Sequence, residues 1–167
     1  SALTLRAAGT VRALYAKYAG PLYQVRRTFD GKTKDIAVLQ PGGPADSRSQ
    51  DAFCASGCVI WRIYDQSPYG NHLDVAPGGG AVPKASLPVN ASGAKITVGG
   101  HDVYGAYFEG GMGYSNGNTS GVAVGDEPES MYMVVSGEHF NGKCCFDYGN
   151  AEVDRLSHGP GTMEAIY

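Results

Sequence analysis

The run Cys58-Val59-Ile60-Trp61-Arg62-Ile63-Tyr64, closed by Asp65-Gln66-Ser67-Pro68, decides how the chain is to be read. Its β-branched and aromatic side chains suit a pleated, half-buried surface, which makes it the strongest strand in the sequence. Asp, Ser and Pro directly after it are turn formers, so the strand ends where the side-chain chemistry changes. Trp61 lies mid-strand beside Ile60 and Ile63, and core packing rather than sugar stacking is its expected role.

Working outward, the same kind of segment recurs at short intervals. Leu22 to Arg26 and Lys34 to Leu39 read as strands joined by a Gly31 turn. Ala94 to Val98, Val103 to Phe108, Met131 to Val135 and Thr162 to Tyr167 read as further short strands. Long Gly/Asn/Ser stretches separate them, notably 110–125 and 149–161, with Pro41-Gly42-Gly43-Pro44 and Gly78-Gly79-Gly80 as tighter loops. Helices are few and short. Val11, Leu14, Tyr15 and Tyr18 form one apolar stripe over 10–18, with Thr10 as N-cap and Gly20-Pro21 as the stop. Ser47 to Ala52 suits one or two helical turns. With no internal repeat and no helix long enough for a βαβ crossover, the pattern points to an all-β sandwich or jelly roll. Apolar alternation is still running at Tyr167, and a strand ending so usually pairs with something further on. Residues 1–167 are therefore expected to be the N-terminal portion of one β-sandwich domain, an edge strand with a true terminus being the alternative.

Composition narrows the partners. Lys and Arg number 13 against 16 Asp and Glu, a net charge of −3, so the basic excess that nucleic acid or an anionic membrane demands is missing. No stretch approaches the ~18 apolar residues of a membrane helix. Charged residues make up 17%, hydrophobic ones 43%, and Gly and Tyr are abundant at 25 and 11, which together point to a β-rich extracellular protein handling polar, uncharged ligands. Asn90-Ala91-Ser92 and Asn118-Thr119-Ser120 are N-glycosylation acceptors in loop-like surroundings, consistent with secretion.

Four cysteines allow three pairings. Cys54 and Cys58 flank an Ala-Ser-Gly spacer that can close on itself, which would leave Cys144 bonded to its neighbour Cys145 in a tight eight-membered ring. On spacing alone a crossed pattern stays open. A vicinal disulfide is a rigid, flat, apolar plate, able to stack on the carbon face of a sugar or simply to constrain its loop. Zinc is a poor match to this spacing, even with His139 or His158 added, and no metal is expected. His72, His101, His139 and His158 are dispersed, and no Gly cluster has the lysine and helix start of a phosphate loop, so no cofactor is implied. Hydrolysis of a glycosidic bond needs two carboxyl groups. Asp126, Glu127, Asp147, Glu152 and Glu164 are candidates, but spacing marks none of them as nucleophile or acid, and the catalytic residues stay unassigned.

The run Tyr64-Asp65-Gln66-Ser67-Pro68-Tyr69-Gly70-Asn71-His72-Leu73 resembles a strand-turn signature of concanavalin-like and laminin-G-like jelly rolls. Arg12-Ala13-Leu14-Tyr15, Gly20-Pro21-Leu22-Tyr23-Gln24-Val25-Arg26 and Asp51-Ala52-Phe53-Cys54 are similar to the opening of the α-L-arabinofuranosidases of glycoside hydrolase family 54. Gly125-Asp126-Glu127, Cys144-Cys145-Phe146-Asp147-Tyr148-Gly149-Asn150-Ala151-Glu152 and Met163-Glu164-Ala165-Ile166-Tyr167 extend the likeness over nearly the whole chain. The resemblance implies a secreted, retaining exo-enzyme with a β-sandwich catalytic domain, removing terminal α-L-arabinofuranosyl groups from plant polysaccharides. It implies a vicinal disulfide of Cys144 and Cys145 lining the arabinose pocket, and a second disulfide of Cys54 and Cys58. It also implies that nucleophile and acid/base both lie beyond the Met163–Tyr167 strand, so the remainder of the same polypeptide is an expected partner alongside an arabinose-containing polysaccharide or oligosaccharide. The competing reading is a non-catalytic laminin-G-like sugar-binding or extracellular structural module.

Overall fold

Leu22, Tyr23 and Val25 have no solvent exposure, and they commit the first strand to the protein interior. The computed structural model describes residues 10–78, 83–123, 126–136, 148–150 and 164–166. β1 (Pro21–Arg27) and β2 (Thr33–Ala37) form an antiparallel hairpin with Tyr23 opposite Ile36 and Arg26 opposite Thr33. Its turn passes through Gly31 at φ +70°, a left-handed conformation that glycine adopts without steric cost. The short helix α1 (Ser47–Phe53) follows, and Oδ1 of Asp46 caps it by accepting from the Ser49 N–H at 3.0 Å. A disulfide between Cys54 and Cys58 closes the turn from α1 into β3 (Cys58–Ile63), which decides between the pairings left open by spacing.

β3 lies antiparallel on the free edge of β1 and is followed by β4 (Leu73–Val75), the hairpin of β5 (Ala94–Val98) with β6 (His101–Gly105), and β7 (Tyr114–Ser115). The main sheet runs β2-β1-β3-β4-β7. β8 (Tyr148–Asn150) and β9 (Glu164–Ile166) form a separate antiparallel pair. The chain is thus all-β with one short helix among the described residues, as the short-strand, Gly-rich pattern predicts.

The core gathers Leu22, Tyr23, Val25, Ile36, Ile60, Val89 and Val103 into one buried cluster. Full burial of such side chains contributes roughly 1.5–3 kcal/mol each. At its centre sits a polar group, Gln50 of α1, itself fully buried. Its Oε1 accepts from the Tyr23 hydroxyl, while its Nε2 donates to the Ala91 carbonyl at 2.8 Å. The 89–91 segment in turn bonds β3: the Ile60 N–H donates to Val89 O and the Ala91 N–H to Cys58 O. One amide therefore ties the helix to the first strand and to the 89–91 segment along β3.

Three expectations are corrected. Residues 10–18 do not form a helix. Their backbone bonds instead to the 42–45 loop, the Ala13 N–H donating to Gly43 O and the Ala45 N–H to Val11 O, while the Leu14 N–H donates to the side chain of Gln66. The approach is so close that a Cβ on Gly42 would meet Ala16 O at 2.5 Å. The apolar stripe was real, but loop partners outcompeted a helix too short to sustain itself. Met131 to Val135 carries no strand, and Val134 is 90% exposed: alternation makes a strand only where a neighbour takes its backbone bonds.

Trp61 does not pack in the core. Gln24 faces Arg62 and Val25 faces Ile60, so Trp61 is the extra residue of a β-bulge, and it stands 36% exposed.

The Gln50 clasp makes a direct prediction. Gln50→Leu is expected to cost about 2–4 kcal/mol, because it strands the buried Tyr23 hydroxyl and Ala91 carbonyl. Adding Tyr23→Phe should recover part of that loss by removing the orphaned hydroxyl. Urea unfolding of both single variants and the double variant gives the coupling.

Candidate functional site

The turn that ends β3 is organised by one buried carboxylate. Asp65 Oδ1 accepts from the Ser67 N–H at 2.8 Å, and Oδ2 accepts from Ser67 Oγ at 2.6 Å and the Asn71 N–H at 2.9 Å. The Asp65 N–H donates to Nδ1 of His72 at 3.1 Å. That ring meets Tyr64 edge-on at 4.9 Å. Next in sequence, Gln66 accepts from the Leu14 N–H at 2.8 Å and donates to Arg12 O at 3.3 Å, drawing the 12–14 segment against the turn. Burial alone would raise the Asp65 carboxyl, but the bonds from Ser67 and Asn71 and the adjacent His72 outweigh it and hold it below its ordinary value.

Tyrosines from two separate parts of the chain lie within electrostatic reach of this carboxylate. Burial first, then the Asp65 charge, raises the hydroxyls of Tyr15 and Tyr18; for Tyr148, burial leads, followed by Tyr132 and Asp65. These phenols stay neutral far above physiological pH. Tyr18 is fixed by donating to Pro21 O at 2.6 Å. Tyr148, which follows Cys144-Cys145-Phe146-Asp147 in the sequence, opens β8. Cys144, Cys145, Asp147, Glu152, His139 and His158 themselves lie outside the described residues.

Neutral hydroxyls on aromatic rings, with one saturated carboxylate behind them, suit recognition of an uncharged polyhydroxylated ring. Asp65 holds the shape of the turn; an ionised carboxylate whose oxygens already accept three bonds is poorly placed to transfer a proton. Other described carboxylates are engaged too: Asp35 with Gln24 and Tyr64, Asp51 with Tyr104, Asp74 with Arg62, and Asp102 with Lys95 and Thr97. Asp126 and Glu127 are exposed, and Glu164 lies on β9 opposite Asn150. Among the described residues no three His, Cys, Asp or Glu side chains gather to hold a metal ion. Both glycosylation acceptors, Asn90 and Asn118, are exposed, and Asn90 Oδ1 accepts from the Ser92 N–H at 3.0 Å.

Sequence reasoning placed Tyr15 and Tyr18 on a helix and so missed that they converge on Asp65. The readable signal was Gln66, a long polar side chain beside a strand end, able to capture backbone groups elsewhere. Folding lowers the Asp65 pKa, so its contribution to stability is complete above the unfolded value of about 3.9 and fades as pH falls through the lower folded value. Asp65→Asn should therefore destabilise the chain by about 1–3 kcal/mol near neutral pH, a difference that holds down to about pH 4 and shrinks only as pH falls further, through the lowered folded value. Urea midpoints across that range check it.

Residues 3–167 match the family described as "Alpha-L-arabinofuranosidase B, catalytic". The probable α-L-arabinofuranosidase B of Aspergillus terreus is 53% identical over 163 residues, covering 95% of this chain and 32% of that protein. The α-L-arabinofuranosidase B of Emericella nidulans is 50% identical over 168 residues, 98% of this chain and 33% of that protein. A GH54 α-L-arabinofuranosidase soaked with a cyclic sulfate inhibitor superposes with a TM-score of 0.89 at 45% identity, covering 96% of this chain and 34% of that one. An arabinofuranosidase complexed with arabinofuranosyl-α-1,2-xylobiose gives a TM-score of 0.88 at 46% identity, with coverage of 96% and 34%. The chain spans about a third of the length of these relatives. With the family matched over residues 3–167 and about half of the residues identical to these relatives over nearly its full length, the chain belongs to the α-L-arabinofuranosidase B catalytic family.

Proposed function

We propose that the protein is a secreted glycoside hydrolase that releases terminal α-L-arabinofuranosyl groups from plant-type polysaccharides by a retaining, double-displacement mechanism. The observation that carries this reading is the family match over residues 3–167, joined to a relative held with an arabinofuranosyl-xylobiose. In such a mechanism one carboxylate attacks the anomeric carbon and expels the aglycone, which takes a proton from a second carboxyl group. Water, deprotonated by that second group, then attacks the covalent glycosyl-enzyme and frees the sugar. The two carboxyl groups stand about 5–5.5 Å apart.

This pair belongs to the polypeptide beyond Tyr167. The structural engagement of Asp35, Asp51, Asp65, Asp74 and Asp102 supports that assignment, since each already holds part of the fold. The present residues contribute the sugar-facing wall: Cys144 and Cys145, bonded to each other, offer an apolar plate to the arabinose ring. The Cys54–Cys58 bridge supports an oxidising, extracellular location, as does the exposure of Asn90 and Asn118 as glycosylation sites.

At its full encoded length the protein is expected to release arabinose from an aryl α-L-arabinofuranoside, with the α anomer appearing first by NMR. Residues 1–167 alone should give no turnover. A first-formed β anomer would overturn retention, and turnover by 1–167 would overturn the downstream placement of the carboxyl pair. For the cysteine plate, non-reducing peptide mapping should yield one peptide carrying both Cys144 and Cys145 and lighter by a pair of hydrogens. Alkylation of either thiol without prior reduction would refute it.

A further inference from the structure

The far end of the β1–β2 hairpin carries a recess that the arabinose reading leaves unused. The bulge at Trp61 turns its ring onto the outer face of the main sheet, 36% exposed, and Phe29 in the hairpin turn is 68% exposed. With Arg27, Asp30, Val59 and Pro88 they border an open surface recess of about 520 Å³, the Asp30 carboxylate being engaged by Arg27. The Arg26 guanidinium lies over the Trp61 ring, its carbon 4.4 Å from the ring centre. Its Nε donates to Gly31 O at 3.3 Å. The cation is thus held in place by a ring and a carbonyl, and it has no carboxylate at ion-pair distance among the described residues. Its neighbours differ: Arg27 pairs with Asp30 at 2.8 Å and Arg62 with Asp74 at 2.6 Å. The Asp65 turn lies at the other end of the same strand pair, where the Tyr64 N–H bonds Leu22 O, roughly 16 Å away at strand rise.

Aromatic surface suits the carbon face of a pyranose ring, and an unneutralised guanidinium matches a carboxylate in a two-bond fork. We propose that this recess is a second carbohydrate site, selective for a carboxylate-bearing sugar unit, a uronic acid residue of a polysaccharide. Trp61 and Phe29, each with a guanidinium over one ring face, supply apolar surface beside the cation, and Arg26 supplies the counter-charge. The choice of a polysaccharide as ligand rests on the proposed function; the recess and its unpaired cation do not.

The test uses the protein at its full encoded length. Binding of an acidic xylo-oligosaccharide bearing one glucuronic acid is compared by calorimetry with that of a neutral xylo-oligosaccharide of equal length, while aryl arabinoside hydrolysis is followed in parallel. The acidic ligand is expected to bind about fivefold or more tightly, with the difference shrinking as salt is raised. Arg26→Gln should erase that preference, Arg26→Lys should keep part of it, and Trp61→Ala should weaken both ligands, all three leaving aryl arabinoside hydrolysis unchanged. Equal affinity for the two ligands, absence of binding, or a preference that survives Arg26→Gln would overturn the proposal. An acid preference without aryl arabinoside hydrolysis would sustain this site and remove the proposed function; hydrolysis without the preference would do the reverse.

Discussion

The fold depends on a buried amide that has to be satisfied from two sides. Gln50 is fully enclosed, and a polar side chain in that position is tolerated only when its groups are bonded. The Tyr23 hydroxyl and the Ala91 carbonyl meet that demand. Because Tyr23 is in β1 and Ala91 in the segment lying along β3, the requirement fixes how α1 sits over the sheet. The Cys54–Cys58 bridge then sets where the chain re-enters the sheet after the helix. Packing among Leu22, Ile36, Ile60 and Val103 provides most of the free energy, but apolar contacts alone would accept several helix positions. The amide accepts one.

A second polar knot does for the candidate site what Gln50 does for the core. Asp65 and Gln66 are both buried at the end of β3, one bonding its own turn, the other reaching the 12–14 segment. Tyr15 and Tyr18, which follow that segment, and Tyr148, far away in sequence, all feel this one negative charge. The neutral hydroxyls that result match an uncharged sugar better than an ionic substrate. Site geometry here follows from backbone capture by side chains rather than from regular secondary structure.

That distinction explains what was legible in the sequence. Cys58–Ile63, the Gly31 hairpin and the β5 strand were readable because alternation and turn chemistry act locally. α1 was readable from Ser47–Ala52, though no local pattern marks its decisive residue, Gln50, as buried. β4 and β7, three and two residues long, carry too few side chains to display a period. The 10–18 stripe misled because its partners, Gly43 and Gln66, are distant in sequence and no local pattern announces them. The reading of Cys144 and Cys145 came from family likeness alone, and both residues lie outside the described ones.

Trp61 shows how one constraint produces two outcomes. Ile60 and Ile63 both belong to the core, yet three positions apart on a regular strand they would face opposite sides. The inserted residue resolves the conflict, and the same insertion sends Trp61 outward beside Arg26. The misreading of Trp61 as a core residue came from assuming regular alternation, although two isoleucines at that spacing in a good strand already required a break. Arg62, next along, is neutralised by Asp74, whereas Arg26 is held by a ring and a carbonyl with no carboxylate at ion-pair distance among the described residues. A partly exposed guanidinium loses little stability by lacking a counter-ion, so folding does not require one there. The packing of Ile60 and Ile63 accounts for why Trp61 is outside; it leaves open, in a recess on the surface, a positive charge that an anionic group can complete.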